Sequence, residues 1–209
     1  ASALSRALGG KKTEDARRIA SISFWGGLGC GILFAIVFLI LARPVLFLCG
    51  ATRATYETAF AYARWVVVIG GPWTILNTLL ANLVRAEGSA AQAAIGVSMG
   101  GILNIILDPF FVLPGFLSMG AAGAGLATAV SNVAATIYFL VYIARNKGKS
   151  VISISPAELR YWRQFLGPIL ATGFPSAVQY ALTVVAIAAQ SRFVAQYTTE
   201  AVAGLGIVK

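Results

Sequence analysis

Two side chains suited to binding a small cation lie four residues apart in an otherwise apolar stretch. The segment NIILDPFFVLPG, residues 104–115, contains Asn104 and Asp108. On a helix, residues at this spacing project from one face, so a carboxylate and an amide carbonyl would lie together. Such oxygen atoms bind a hard cation or share a proton. Pro109 removes one backbone hydrogen bond at this level and permits a bend.

The setting of Asp108 indicates a function for it. A charge near the middle of a bilayer costs about 2.5 to 3.5 kcal/mol on insertion scales, and ionisable residues inside membranes commonly mark ion pathways. The apolar run FFVLPGFL after Asp108 predicts that the helix continues and keeps the carboxylate in the outer half of the bilayer. The alternative is that Asp-Pro ends the helix at the outer surface, which is a common way for a helix to stop.

Membrane-spanning helices are the elements that would hold these residues. Of 209 residues, 58% are hydrophobic and 11% charged, whereas a soluble domain usually carries about 25% charged residues. A helix crosses the bilayer with about 20 residues. Five segments are long enough: 20–42, 65–84, 88–119, 119–144 and 164–191. The sequence therefore predicts an all-α, polytopic membrane protein, with the lipid bilayer as its main partner.

The net charge of +9 indicates orientation rather than a nucleic-acid partner. The sixteen Lys and Arg lie in the gaps between apolar segments instead of on one face, so nucleic acid is not expected to bind. Cytoplasmic loops retain Lys and Arg. Eleven of these residues fall on one side of the predicted spans and four on the other, which makes the first side cytoplasmic: Arg6, Lys11, Lys12, Arg17, Arg18, Arg85, Arg145, Lys147, Lys149, Arg160 and Arg163, against Arg43, Arg53, Arg64 and Arg192.

Polar segments divide the chain into four parts. Residues 1–18 are predicted to form a cytoplasmic loop with a short amphipathic piece, and 19–144 four transmembrane helices of one bundle. Residues 145–160, which contain Lys, Gly and Ser, predict a flexible cytoplasmic linker. Residues 161–209 hold one full helix and part of the next. Because the chain starts without Met and stops within an apolar segment, we expect it to be incomplete.

Other polar residues inside the spans are candidates for the same site or for a cavity. Thr128 is a possible third oxygen donor, although a Thr commonly bonds to its own helix backbone. Asn82 and Asn132 serve either as ligands or as hydrogen bonds between helices. Four residues are candidates for lining a substrate cavity: Asn77, Pro175, Gln179 and Tyr180.

The remaining reactive residues predict neither a cofactor nor catalysis. Cys30 and Cys49 are nineteen positions apart, which is about 28 Å along a helix, whereas a disulfide needs about 7 Å between Cα atoms. With no histidine and no cysteine cluster, a structural zinc or haem site is not expected. A hydrolase would need two carboxylates or a nucleophile with a base, and the spans contain one carboxylate, so we do not expect an enzyme.

The assembled motifs resemble the multidrug and toxic-compound extrusion (MATE) transporters, nearest to the bacterial multidrug-efflux branch. The matching strings are SRALGGKK, LVRAEGSA, GGILNIILDPFFV, MGAAGAGLATAVSN and GFPSAVQ, in the family's order over nearly the whole chain. The resemblance implies two bundles of six helices, arranged as an inverted V in the cell membrane, that rock around a central cavity. This chain would hold helices three to six, the linker, helix seven and the start of helix eight.

The resemblance also implies an activity and an ion site. Family members export cationic amphiphilic drugs in exchange for H⁺ or Na⁺, need no cofactor beyond that coupling ion, and would act as monomers once the missing helices are included. Their cation-binding group comprises an Asn and an Asp four apart on the fifth helix, a Thr on the sixth and an Asp on the first. Asn104 and Asp108 match the pair and would bind Na⁺ in a sodium-coupled protein. Thr128 matches the third residue, and the first-helix Asp would lie upstream of Ala1.

The expected mechanism has Asp108 bind the coupling ion in an outward-facing state and so favour drug release. Desolvation disfavours the charged carboxylate, which should therefore take a proton or hold Na⁺ with Asn104 and Thr128. Two other functions stay open. A lipid-linked precursor flippase of the same superfamily typically needs a cationic cavity, yet no Arg or Lys lies inside a span between residues 65 and 191 apart from Arg85 and the linker. A non-transporting membrane subunit would pair Asp108 with a basic residue of a partner.

Overall fold

Helices make up almost all of the described chain. The computed structural model describes residues 2–49, 51–113, 117–147 and 150–194, and the chain divides between Phe165 and Leu166 into two compact units. Within the described residues, four helices are long and apolar enough to cross a membrane, or five when one bent pair counts as a span. The α-helices are α1 (Ser2–Gly9), α2 (Thr13–Leu48), α3 (Tyr56–Ala63), α4 (Gly71–Ala86), α5 (Ala90–Val112), α6 (Ala121–Arg145) and α7 (Trp162–Val194).

The first long helix, α2, exceeds the predicted span at both ends. Its 36 residues extend about 54 Å at 1.5 Å per residue, against a hydrocarbon core of about 30 Å. Lys12 is its N-cap residue, and no side chain caps it. The helix does not end with the predicted span at residue 42, because it continues through Pro44 to Leu48. Pro44 removes a single backbone bond one turn before the end, where a helix tolerates the loss.

The second span is bent. A π-helical turn, Arg64–Ile69, separates α3 from α4, and the two parts meet at an angle of 47°. The turn closes with the Gly70 N–H donating to the carbonyl of Trp65, at 2.7 Å. A Cβ on Gly70 would lie 2.9 Å from that oxygen and 3.1 Å from Ala129 Cβ, so the bend requires glycine here. Pro72 then begins the next helix, where it needs no N–H donor.

Glycines bring the helices of the first unit into close contact. A Cβ at Gly31 of α2 would lie 2.9 Å from Pro72 Cα on α4, and one at Gly100 of α5 would lie 3.1 Å from Ala135 Cβ on α6. Gly96 lies under the ring of Phe139, which is fully buried. In lipid, such small residues allow the close backbone approach by which transmembrane helices associate.

The fifth helix ends earlier than expected. Only the first three residues of the run FFVLPGFL continue the helix, because α5 stops at Val112 and Leu113 adopts an extended conformation. Leu113 precedes a proline in the sequence, and the proline ring disfavours the helical conformation of the preceding residue. The chain then turns, with the Met119 N–H donating to the carbonyl of Phe111 at 2.9 Å. Asp108 consequently lies one turn from the end of α5, although it too precedes a proline and stays helical.

The expected flexible linker belongs to the first unit and packs against α2 over part of its described residues. Ile152 is only 5% exposed, and a 3₁₀ turn, Pro156–Tyr161, leads directly into α7. Two side chains of α2 donate hydrogen bonds to main-chain carbonyls of this segment. Residues 148 and 149 lie outside the described residues, as do the predicted outer turn at 197–200 and the apolar segment at 201–209.

Candidate functional site

Two of the three predicted ion-site residues meet between α5 and α6. The amide nitrogen Nδ2 of Asn104 donates to Thr128 Oγ1 at 3.5 Å. The Thr128 hydroxyl donates in turn to the main-chain carbonyl of Ala124 at 3.0 Å. Because its only proton is used on its own helix, Thr128 can act toward Asn104 only as an acceptor. This assigns the nitrogen of Asn104 to the α6 side and leaves its carbonyl oxygen for other partners.

Asp108 supplies the charged group, one turn farther along the same face of α5. Its side chain is half-buried, and its Oδ1 atom is shielded from solvent without a hydrogen-bond partner in the described part of the chain. Buried polar atoms rarely lack a partner, and leaving one unpaired costs about 1 to 3 kcal/mol, and more for a charged group. Among the described residues, no hydrogen bond joins Asp108 to Asn104 or Thr128. The oxygen thus has free lone pairs for a proton or a cation.

A polar cavity of about 190 Å³ is lined in part by Asn104 and Thr128. It extends from Asn104 toward the N-terminus of α5, so Asp108 is not among its lining residues. Asn77 of α4 donates through Nδ2 to Asn132 Oδ1 at 3.0 Å, and Asn132 donates through Nδ2 to the carbonyl of Thr128 at 2.9 Å. A water molecule occupies about 30 Å³ of liquid volume, so the cavity has room for several waters or a small cation. Its lining residues are Asn77, Val97, Gly100, Gly101, Asn104, Thr128, Ser131 and Asn132.

Ser131 is a member of this site that sequence reasoning missed. It is 3% exposed, and its Oγ is one of two buried oxygen atoms of the cavity that lack a partner within the described residues, the other being Asn77 Oδ1. The sequence carried a periodic signal beside Ser131, although Ser131 itself is not part of it. Thr128, Asn132 and Thr136 follow at intervals of four and form one polar stripe on α6. Thr136 continues this stripe, and its hydroxyl lies 2.8 Å from the main-chain carbonyl of Asn132 on its own helix and 3.2 Å from that of Trp73, so its single proton serves one of the two carbonyls at a time.

The other candidates are located elsewhere. Asn82 donates to the carbonyl of Thr78 on its own helix and accepts from Arg85, so it joins no pair of helices. In the second unit, Pro175 borders an open apolar cavity of about 560 Å³. Gln179 and Tyr180 are exposed, Tyr180 by 75%. Of the four proposed cavity residues, Asn77 therefore belongs to the polar cavity of the first unit, and the other three lie in the second unit.

The donor set fits a proton or a singly charged cation. Within the described ranges, no group of three or more His, Cys, Asp or Glu side chains is placed to hold a metal ion. Cys30 and Cys49 are both free, as their separation predicts. One carboxylate with neutral amide and hydroxyl oxygens balances a single positive charge, whereas divalent cations usually need several carboxylates.

Known proteins match both the sequence and the fold. A model of the MatE family matches residues 1–110. Multidrug export protein MepA of Staphylococcus saprophyticus is 31% identical over 204 residues, covering 98% of this chain and 44% of that protein. An outward-facing structure of a multidrug resistance MATE family transporter of the MOP superfamily aligns over 97% of this chain and 44% of its own, with 26% identity and a TM-score of 0.81. The inward-facing structure aligns over 84% of this chain and 39% of its own, with 28% identity and a TM-score of 0.76.

Proposed function

This chain belongs to the MatE family, and on that premise we propose that it forms part of a cation-coupled antiporter that exports cationic amphiphilic drugs. It is an all-α, multi-pass membrane protein. The chain spans less than half the length of the curated relatives it matches, so the activity proposed is that of the whole transporter. The coupling ion is H⁺ or Na⁺, bound at Asp108, Asn104 and Thr128.

The observation that carries this proposal is the buried, unpartnered oxygen of Asp108. A membrane protein retains a desolvated carboxylate at a cost in stability, which a purely structural role would offset with a permanent donor. None of the described side chains donates a hydrogen bond to Asp108 Oδ1. A group that must alternately accept and release a positive ion needs an oxygen without a permanent partner.

Asn104 and Thr128 fit the sodium form of this mechanism. Thr128 Oγ1 keeps a lone pair, since it donates one bond to Ala124 and accepts one from Asn104. The side-chain carbonyl oxygen of Asn104 makes no hydrogen bond to the described residues of α6, because Asn104 contacts Thr128 through its nitrogen. Pro109 has no N–H, so the carbonyl of Ile105 loses its usual helical donor at the same level. In the proton form, protonation of Asp108 removes the buried charge and the neutral oxygens serve as hydrogen-bond partners.

Ion binding and drug binding are expected to oppose each other. If the ion prefers one arrangement of the bundles and the drug the other, each weakens the binding of the other by the same factor, commonly about 5-fold to 150-fold. The relatives named multidrug export proteins are consistent with a broad apolar cavity, where selectivity is low.

The test is transport by the full-length protein reconstituted in liposomes. Export of a fluorescent cationic dye is measured under an imposed H⁺ or Na⁺ gradient for the wild type and for Asp108→Asn. We expect the ion-driven rate to fall about tenfold or more, in line with the usual range of coupling between sites. Glu57→Gln, which neutralises an exposed carboxylate on α3, is the control and should transport normally.

Two results would contradict the proposal. Unchanged dye export by Asp108→Asn would remove that residue from coupling. Gradient-independent movement of a pyrophosphate-linked lipid by the wild type, without dye export, would instead favour a flippase.

A further inference from the structure

One face of α2 binds a segment more than 120 positions away in sequence. Ser21 Oγ donates to the carbonyl of Ser155 at 2.6 Å, across 134 positions, and Trp25 Nε1 donates to the carbonyl of Ile154 at 3.1 Å, across 129 positions. Ser21 is completely buried. The two donors are four positions apart, so they lie one above the other on the helix and meet consecutive carbonyls.

Arg18 extends this face by three residues. Its guanidinium carbon lies 4.2 Å from the centre of the Tyr161 ring, and its Nε lies 3.6 Å from Glu158 Oε2, an ion-pair distance that is too long for a hydrogen bond. Glu14 and Asp15 also lie within 4.0 Å and 3.8 Å of this guanidinium. Arg18 therefore combines a contact with the aromatic ring and charge pairing on both sides.

The other end of the same segment is held by Glu87, at the C-cap of α4. Its Oε2 accepts the Ser150 hydroxyl at 2.8 Å, and its Oε1 accepts the main-chain N–H of Val151. Both oxygens of a charged group are thereby used, which gives stronger bonds than neutral acceptors would. The next residue, Ile152, is 5% exposed and anchors the segment through its apolar side chain.

Acidic residues are concentrated around this segment, whereas the ion site contains the carboxylate of Asp108. The sequence contains seven acidic residues, and four of them lie here: Glu14, Asp15, Glu87 and Glu158. All the contacts belong to the first unit, which extends to Phe165 and so includes the whole segment and the first turn of α7.

We propose that residues 150–161, here called the strap, form a fixed strut, and that Glu87, Ser21 and Trp25 are the residues that position it. The strap holds the base of α7 on α2 and joins the α4–α5 turn to both. Its central bonds use main-chain carbonyls, so α2 fixes the path of the backbone rather than particular strap side chains. If the protein transports by moving its bundles, as proposed above, the base of α7 travels with the first unit and the linker does not act as a hinge.

Amide hydrogen exchange of the full-length protein in lipid nanodiscs tests this directly, without any transport measurement. The Val151 amide, which is bonded to Glu87, should exchange slowly in the wild type. Glu87→Ala should speed its exchange about tenfold or more, because a bond to a charged acceptor is lost. Glu87→Gln should give an intermediate rate, since the amide oxygen replaces one acceptor. Glu57→Gln on α3 should leave Val151 unchanged.

Cross-linking then shows whether the strap ever leaves α2. With Cys30 and Cys49 replaced by Ser, the variant Arg18→Cys with Glu158→Cys, at two side chains that are about a quarter exposed, is joined by a short bifunctional maleimide. A fixed strut predicts that the joined protein exports dye at the rate of the unjoined double variant, and that Val151 protection in protein reconstituted in liposomes is the same with and without an ion gradient. Loss of export on cross-linking with recovery in uncross-linked protein would overturn the proposal, as would fast exchange of Val151 in the wild type.

These outcomes are separate from those of the proposed function. Slow exchange that depends on Glu87 supports the strap even in a protein that exports no dye. Normal ion-driven export with a freely exchanging strap would leave the transporter proposal intact and refute the strut.

Discussion

The hydrogen bond between Asn77 and Asn132 predicts an unequal pair of mutational effects. Asn77 already has one buried atom, Oδ1, without a partner, and its Nδ2 depends on Asn132 alone among the described bonds. Asn132→Leu therefore leaves the whole amide of Asn77 unpaired. Asn77→Leu leaves only Asn132 Oδ1 without its donor, because Asn132 Nδ2 keeps its bond to the Thr128 carbonyl. Asn132→Leu should thus destabilise the protein more than Asn77→Leu.

The magnitude follows from the cost of unpaired polar groups. Each newly unpaired buried group costs about 1 to 3 kcal/mol, whereas replacing both partners by apolar groups is nearly neutral. The double variant Asn77→Leu with Asn132→Leu should therefore be more stable than Asn132→Leu, with a coupling of about 1 to 2 kcal/mol. The hydrogen bond alone contributes less, about 0.6 kcal/mol on average between transmembrane helices.

Thermal unfolding in detergent, followed by tryptophan fluorescence, measures these differences. For domains of about 150 to 250 residues, 1 kcal/mol shifts the Tm by about 2 to 4 °C. Asn82→Leu is the matched control on α4, since Asn82 bonds only its own helix and its neighbour Arg85. Additive losses in the double variant, or a larger loss for Asn77→Leu than for Asn132→Leu, would refute the reasoning.

Three further predictions follow from single contacts. Gly96→Ala should destabilise the protein by about 1 to 3 kcal/mol, because the added Cβ would overlap the Phe139 ring. Gly101→Ala on the same helix should be neutral or slightly stabilising, because its Cβ would meet nothing within 4 Å. Equal Tm values for the two variants would contradict this prediction. Gly88→Ala should cost about 1 kcal/mol in chemical denaturation, because Gly88 has a φ of +95°, and an unchanged midpoint would argue against strain there. Thr128→Ser should retain ion-driven dye export, whereas Thr128→Val should lose most of it, and equal rates would remove the hydroxyl from the site.

The sequence predicted the membrane class and the approximate spans, because these depend on local hydrophobicity, and it placed Asn104 and Asp108 on one helix face, because that depends on helical spacing. The contact of Asn104 with Thr128 joins two helices, and for it the sequence offered only Thr128 as a possible third oxygen donor. The ends of the helices were less predictable. α5 ends at Val112, two positions before a proline in the sequence, yet Pro44 and Pro109 stayed inside their helices. Whether a proline breaks a helix depends on the packing around it, which local sequence does not report.

In the ion site and in the strap, likewise, the contacts between residues far apart in sequence could not be predicted from local sequence. The polar stripe on α6 could be read from its spacing, but the hydrogen bond between Asn132 and Asn77 required α6 to pack against α4. The strap contains Ser and Pro, a composition typical of a flexible linker. Its contacts come from Arg18, Ser21, Trp25 and Glu87, residues far away in sequence, and composition alone could not indicate that they converge.

Ion release on drug binding tests the central claim most directly. Adding a cationic drug to the purified full-length protein in weakly buffered detergent solution, or to protein equilibrated with radioactive Na⁺, measures whether the drug displaces the ion. The account predicts the release of about one H⁺ or one Na⁺ per bound drug, and little or no release from Asp108→Asn. Equal ion release from Asp108→Asn and the wild type would show that the coupling ion binds elsewhere.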